Sequence, residues 1–285
     1  MHRRFGNDST GAGRYRQSKR LVENVVVELR VQLLALRSVW PEALAVNVTS
    51  AVAWLAYFGA LKRVEPSVVN TIFSGISPLA VTLLALVGLR SAINEKSRPA
   101  EHAAHVGLVA TLAFTVWVVL SGHAAPIHLP IHEIQLGLAL AAISGIVISA
   151  ETVIAKRMND AGIAADTVVA VRFVLISIIA AIYVVCTNGS SARHDVTSLL
   201  LMVFAALLLI VVPIYLVQAA IAHTSPMTTN VILALQPVLV FVAQSSVWNQ
   251  PPSIYVLGAV TSYAFFAILG VALPLWPRSA AAMAN

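Results

Sequence analysis

Long apolar runs separated by short polar breaks make up most of this chain. Near-continuous hydrophobic stretches fall at about 43–60, 66–89, 105–121, 134–157, 165–187, 197–222, 225–247 and 254–276. A membrane-spanning helix needs roughly 17–25 predominantly apolar residues, so the pattern predicts about eight spans, the first of them short. Barrel strands would alternate apolar and polar residues over about ten positions, and the stretch from Leu199 to Ala222 does not. Breakers stand between the runs: Pro66, Pro99, Pro126 with Pro130, Gly162, Asn188 with Gly189, Pro226, and Pro251 with Pro252. Residues 21–40 read differently. There Val22, Val25, Val26, Leu29, Leu33, Leu34 and Leu36 are interleaved with Glu23, Glu28, Arg30 and Arg37. That is an amphipathic helix suited to the membrane surface or to a groove between helices, with a degraded span as the alternative.

Within the runs one pattern occurs twice. Residues 60–79 read ALKRVEPSVVNTIFSGISPL and residues 220–238 read AIAHTSPMTTNVILALQPV. Each follows an apolar run, turns at a proline (Pro66, Pro226), and places an asparagine four residues on (Asn70, Asn230). Each then carries a second proline in the next apolar run, Pro78 and Pro237. Two copies of one hairpin in so apolar a chain predict an internally duplicated membrane protein, the plan many solute transporters share.

Composition agrees: 59% of residues are hydrophobic and 11% charged, with a mean hydropathy of +0.85. A soluble domain carries roughly a quarter charged residues. The single cysteine, Cys186, excludes an internal disulfide framework and a multi-cysteine metal site. The net charge of +6 reflects orientation in a membrane rather than nucleic-acid binding. With the amino terminus in the cytoplasm, inside segments hold Arg90, Lys96, Arg98, Lys156, Arg157, Arg278 and the basic residues of the first 42 positions. Outside segments hold only Lys62, Arg63 and Arg193. The Pro66 hairpin then turns outside and the Pro226 hairpin inside, so the copies run in opposite senses: an inverted-topology duplication. The basic first twenty residues lack the apolar core of a signal peptide.

The stretch AVAWLAYFGALKRVEPSVVNTIFSGISPL at 51–79 resembles the EamA-type repeat of the drug/metabolite transporter superfamily. Gln236-Pro237-Val238 is similar to the same element in a second copy, and AKRM at 155–158 with VRFVL at 171–175 is similar to the first two helices of a repeat. The resemblance covers roughly 43–276. It implies an all-α polytopic membrane protein and transport, more often export, of a small solute. Family members usually have ten spans in two five-helix repeats. Here three spans precede five, so the first two helices are expected to be missing. The organisation expected is a basic cytoplasmic tail with the amphipathic helix (1–42), a partial first repeat (43–121), a second repeat (130–276) and a short cytoplasmic tail (277–285).

Pro78 and Pro237 each remove a helical hydrogen bond and free the carbonyl one turn earlier. Near the membrane midplane such interruptions turn polar backbone toward a cavity. Asn70, Ser74 and Pro78 in one half, with Asn230, Gln236 and Pro237 in the other, are therefore the candidate cavity-lining residues. Thr71, Ser77, Thr228 and Thr229 lie close by, and the competing role for all of these is hydrogen bonding between neighbouring helices. Glu151 and Arg172 are the charges well inside predicted spans. Each lies roughly 10 Å from the cytoplasmic boundary at 1.5 Å rise per residue, which permits an ion pair. We expect that pair to gate or bind a polar solute, against the alternative of a snorkelling arginine with a structural partner. His123, His128, His132 and Glu133 fall in an external loop without metal-site spacing. Trp54, Tyr57, Trp117, Tyr183, Trp248 and Trp276 are read as interfacial anchors.

No phosphate-binding loop, dinucleotide fingerprint, His-Glu-x-x-His or hydrolase triad occurs, so no enzyme, metal or cofactor is expected. The expected partners are a small-molecule solute and the lipid bilayer of the plasma membrane, with both termini cytoplasmic. Homo- or hetero-oligomers stay open. The rival reading is a non-transporting truncated homologue, or a subunit whose partner supplies the missing helices.

Overall fold

In the computed structural model, which describes residues 32, 34–86, 99–124, 129–187, 196–224, 233, 235–247 and 253–275, the apolar runs fold as helices. They are α1 (Trp40–Leu61), α2 (Pro66–Leu86), α3 (Pro99–Leu120), α4 (Ile131–Asp160), α5 (Ala165–Arg172), α6 (Val174–Thr187), α7 (Val196–Ala206), α8 (Val212–His223), α9 (Gln236–Val247) and α10 (Ile254–Leu275). Among the described residues no strand occurs. Among the described residues, five helical stretches are long and apolar enough to cross a membrane: 40–61, 66–84, 103–120, 131–160 and 165–186. Shorter apolar helices at 196–206, 212–223 and 254–270 accompany them. The chain is an all-α polytopic membrane protein.

Pro66 opens α2 in the first helical position, where its missing N–H removes no bond. Among the described spans α2 is the most enclosed, 67% buried, and packs against α4, α9, α3 and α10. α4 lies against both α1 and α2. Its approach to α2 depends on Gly145, where a Cβ would stand 2.4 Å from the Phe73 carbonyl oxygen. Ser149 Oγ donates to Gly145 O (2.7 Å) and Ser77 O (3.3 Å), and Ser77 Oγ reaches Gly145 O (3.4 Å). Small residues and hydroxyls hold helices together in this way where lipid supplies no hydrophobic drive.

Two apolar clusters lie toward opposite ends of the bundle. One joins Val64, Val68, Ile72, Val118, Leu138, Phe241 and Val260 below the turn at 62–65. The other joins Ala43, Val46, Met158, Ile163, Val168 and Ile221 beside the turn at 161–164. Leu36 and Val39 pack against this second cluster, and Gln32 Oε1 accepts from the Ala164 N–H (3.2 Å). The described part of the amphipathic stretch thus sits in a groove beside that turn. The rest of 1–42 lies outside the described residues.

Two local features depart from the hydrophobic pattern. The run 165–187 is not one helix: it breaks at Phe173, although no proline or glycine stands there. Asn47 of α1 supplies the cause. Its Nδ2 donates to Val171 O (2.7 Å) and its Oδ1 accepts from Leu175 N (2.8 Å). Those are the two groups that would bond each other in a continuous helix, so the carboxamide has entered the ladder. The second feature is a π-helical turn at Leu207–Val211, between α7 and α8. Pro213 follows it and has no N–H to give back, so the helical ladder already lacks a bond there.

Candidate functional site

A cavity of ≈ 50 Å³ opens between α2, α4, α5 and α8. Phe73, Ser74 and Ser77 come from α2, Ile148 and Thr152 from α4, Arg172 from the end of α5, and Val217 and Ile221 from α8. Leu233 completes the wall. The spacing of Phe73, Ser74 and Ser77 is that of one helix face, as is that of Ile148 and Thr152. A volume of that size holds about three waters.

Arg172 is the charged member of the wall. It is buried and forms an ion pair through Nη2 with Glu151 Oε1. Its Nε donates to Ser50 Oγ (3.3 Å), and the Phe173 ring lies 5.2 Å from the guanidinium carbon. Ser50 is also a hydrogen-bond neighbour of Glu151. Glu151 is buried too, and its Oε2 has no hydrogen-bond partner among the described residues. The break at Phe173 ends α5 at Arg172, so the Asn47 contact fixes where the guanidinium stands.

The hydroxyls of the wall differ. Ser77 gives its proton to Phe73 O (3.1 Å) and Thr152 gives its own to Ile148 O (2.9 Å). Ser74 and the Tyr263 hydroxyl are neighbours, but neither makes a hydrogen bond of good geometry among the described residues. Ser74 is also the residue whose carbonyl loses its helical partner to Pro78, one turn on. Gln218, between Val217 and Ile221, is fully buried with both amide atoms unpartnered among the described residues.

A second polar layer lies one turn from Ser74. Asn70 Nδ2 donates to Tyr57 Oη (3.0 Å) and Pro66 O (2.8 Å), and Asn70 Oδ1 accepts from Gln236 Nε2 (3.0 Å). Toward the 62–65 turn, Gln244 Oε1 accepts from the Ser67 N–H (3.0 Å). Arg63 Nε pairs with Glu133 Oε2 at 2.6 Å. Toward the other end, Lys156 Nζ donates to Ala222 O (3.0 Å), a carbonyl of the last turn of α8.

The candidate residues named from sequence therefore divide. Ser74 and Arg172 line the cavity, with Glu151 directly behind Arg172. Asn70 and Gln236 meet each other instead, tying α2 to α9. Pro78 and Pro237 are buried but outside the wall; Pro237 stands in the first turn of α9, where a proline removes no helical bond, rather than within a helix. Leu233, four residues ahead of it, does line the cavity. Asn230, like Pro226, Thr228 and Thr229, lies outside the described residues. Tyr57 is no interfacial anchor, because its hydroxyl is held by Asn70 inside the bundle; Trp54 is likewise turned inward against Tyr57 and Phe173. Trp117 and Tyr183 are exposed, and Trp248 and Trp276 lie outside the described residues. Glu133 is a helix residue paired with Arg63 rather than a free loop acid. Asn47, Ser50, Thr152 and Gln218 carry no signal that marks them in sequence.

Comparison with known proteins adds three findings. The profile of the EamA-like transporter family matches residues 135–275. None of the curated proteins matches the chain. Among solved structures, one described only as the crystal structure of a protein superposes with a TM-score of 0.60 at 20% identity, over 87% of this chain and 82% of that one. At that identity the likeness shows the fold alone.

Proposed function

We propose that this chain, whose residues 135–275 are an EamA-like transporter domain consistent with the drug/metabolite transporter superfamily, moves a small polar or amphipathic metabolite across the plasma membrane by alternating access. The observation that carries the reading is the composition of one cavity wall. Ser74, from the helix after Pro66, and Leu233, from the run after Pro226, face the same cavity. Two related hairpins contributing to one central site is the arrangement of transporters built from inverted repeats. Rocking of one repeat against the other opens that cavity alternately to the two sides. Glu151 and Arg172 control access from the cytoplasmic side, which is also the side of both termini. The Asn70–Gln236 contact and the Arg63–Glu133 pair close the outer side. The direction we assign is export.

The test is flux. The purified chain is reconstituted into liposomes and exchange of labelled small metabolites is followed, with Arg172→Gln as the control. Exchange that depends on the protein and falls in the variant is the expected result. Liposomes that exchange no metabolite of a broad panel would refute it.

One observation favours the second reading, a subunit completed by partner helices. The described side chains at 180–186 and 196–208 are exposed on every face, and only 11% of the span 165–186 is buried. Flux absent from the chain alone, but present when a partner co-purifies, would select that reading.

A further inference from the structure

We propose that Arg172 is the receptor for a carboxylate on the solute, and that Glu151 is the resident anion which the solute displaces. This deepens the transporter reading and rests on it. The cation in the cavity wall is already neutralised, but incompletely. A guanidinium has five N–H donors, and Arg172 commits Nη2 to Glu151 and Nε to Ser50. Glu151 in turn leaves Oε2 without a partner among the described residues, 1% exposed. A pair satisfied on one side only is a poor structural element, because a buried charge needs both its counter-ion and its remaining hydrogen bonds. A second carboxylate arriving from the cavity would meet the same guanidinium. It would also meet the Ser74 hydroxyl, which has no hydrogen bond of good geometry among the described residues.

The rest of the wall sets the class of solute. Ser77 and Thr152 have their protons committed to helix carbonyls, so they add no donors. Phe73, Ile148, Val217, Ile221 and Leu233 are apolar. Among the described residues no acid lines the cavity, so an ammonium group finds no partner there. The ≈ 50 Å³ of space matches a carboxylate head rather than a whole metabolite. The class is a small monocarboxylate with an apolar body. Glu151 takes up a proton from water as it is displaced, so a monocarboxylate leaves one anion facing one cation, whereas a phosphate monoester would bring two charges and leave one of them uncompensated in a buried site.

The test uses the purified full chain in detergent and four matched probes: isocaproate, isocaproamide, isoamylamine and isoamyl phosphate. Thermal stabilisation and calorimetric Kd are read for each. Isocaproate alone stabilises the protein. Arg172→Gln abolishes its binding, and Ser74→Ala weakens it about tenfold, the scale of one hydrogen bond to a charged group. Glu151→Gln, which removes the competing anion but keeps an acceptor beside Arg172, tightens isocaproate about tenfold; a merely structural Glu151 would give weaker binding instead. Where Arg172→Gln does not give a monodisperse protein, the Ser74 and Glu151 variants decide. The proposal is overturned by equal stabilisation from the amide, the amine or the phosphate, by no stabilisation from the acid, or by unchanged or weaker binding in Glu151→Gln. Acid binding without flux in liposomes would sink the transporter reading and leave the carboxylate site. Flux of a neutral or cationic solute without acid binding would do the reverse.

Discussion

Replacing Gly145 by alanine tests the packing on which the cavity depends. An alanine Cβ there would stand 2.4 Å from Phe73 O and 3.2 Å from Phe73 C and Cα. These are backbone atoms of α2 and cannot rotate away. Reaching ordinary contact requires α2 and α4 to separate by about 1 Å, and a gap of that size forfeits a quarter to a half of each dispersion contact along the interface. The Ser77–Gly145 and Ser149–Ser77 hydrogen bonds, already at 3.4 and 3.3 Å, would break, at about 0.6 kcal/mol each inside a membrane protein. With overpacking of typically 1–3 kcal/mol the loss is about 3 kcal/mol, offset by about 1 kcal/mol because alanine favours the helix over glycine. The net expectation is destabilisation of about 2 kcal/mol, read by reversible unfolding in mixed detergent micelles. Gly258 supplies the control. A Cβ there meets nothing within 4 Å, so Gly258→Ala should stabilise by up to about 1 kcal/mol. Opposite signs at the two glycines are the prediction. Gly145→Ala at or above wild-type stability would refute the close α2–α4 contact and with it the shape of the cavity wall.

Three further outcomes follow from contacts described above. Arg172→Gln and Glu151→Gln should each lose about 3–5 kcal/mol by stranding a buried charge, whereas the double variant should lose less than either; additive losses would show that the two do not pair. Asn47→Ala should lose about 1–2 kcal/mol, and hydrogen exchange over residues 171–177 should change, because the amide of Leu175 loses its side-chain acceptor. An unchanged exchange pattern there would remove Asn47 as the cause of the break. A double-mutant cycle on Asn70→Ala and Gln236→Ala should give a coupling of about 0.6 kcal/mol; zero coupling would mean the two side chains do not meet.

Much of this fold was legible because its main determinant is one-dimensional. A helix crossing lipid must be apolar along its length, so the runs 66–89, 105–121 and 134–157 mark α2, α3 and α4 to within a few residues. The charges at Glu151 and Arg172 stood out for the same reason: each lies well inside an apolar run, where a charge is costly to bury. The break at Phe173 was not legible, because its cause is Asn47, 126 residues earlier by the numbering. Nothing local at 171–175 departs from a good helix. The pairing of Asn70 with Gln236 belongs to the same category. Each residue could be picked out as a polar group near a proline, but only the packing of α2 on α9 decides that they bond each other rather than a solute. Tyr57 was misplaced by a rule about aromatic belts that holds on average and yields to a specific hydrogen bond.

α4 has one property whose mechanical consequence reaches both faces of the membrane. Its 30 residues make a rod about 45 Å long. Glu133 holds Arg63 at one end, Lys156 holds the end of α8 at the other, and Gly145 presses on α2 between them. The two arms of this lever, from Gly145 to Glu133 and from Gly145 to Lys156, are about 18 and 17 Å at helical rise. A tilt of about 10° around that fulcrum carries each tip some 3 Å, in opposite directions, beyond the reach of a hydrogen bond. The clasp at one end therefore cannot slacken without shifting the clasp at the other, so the two ends of the bundle are mechanically linked through one stiff helix.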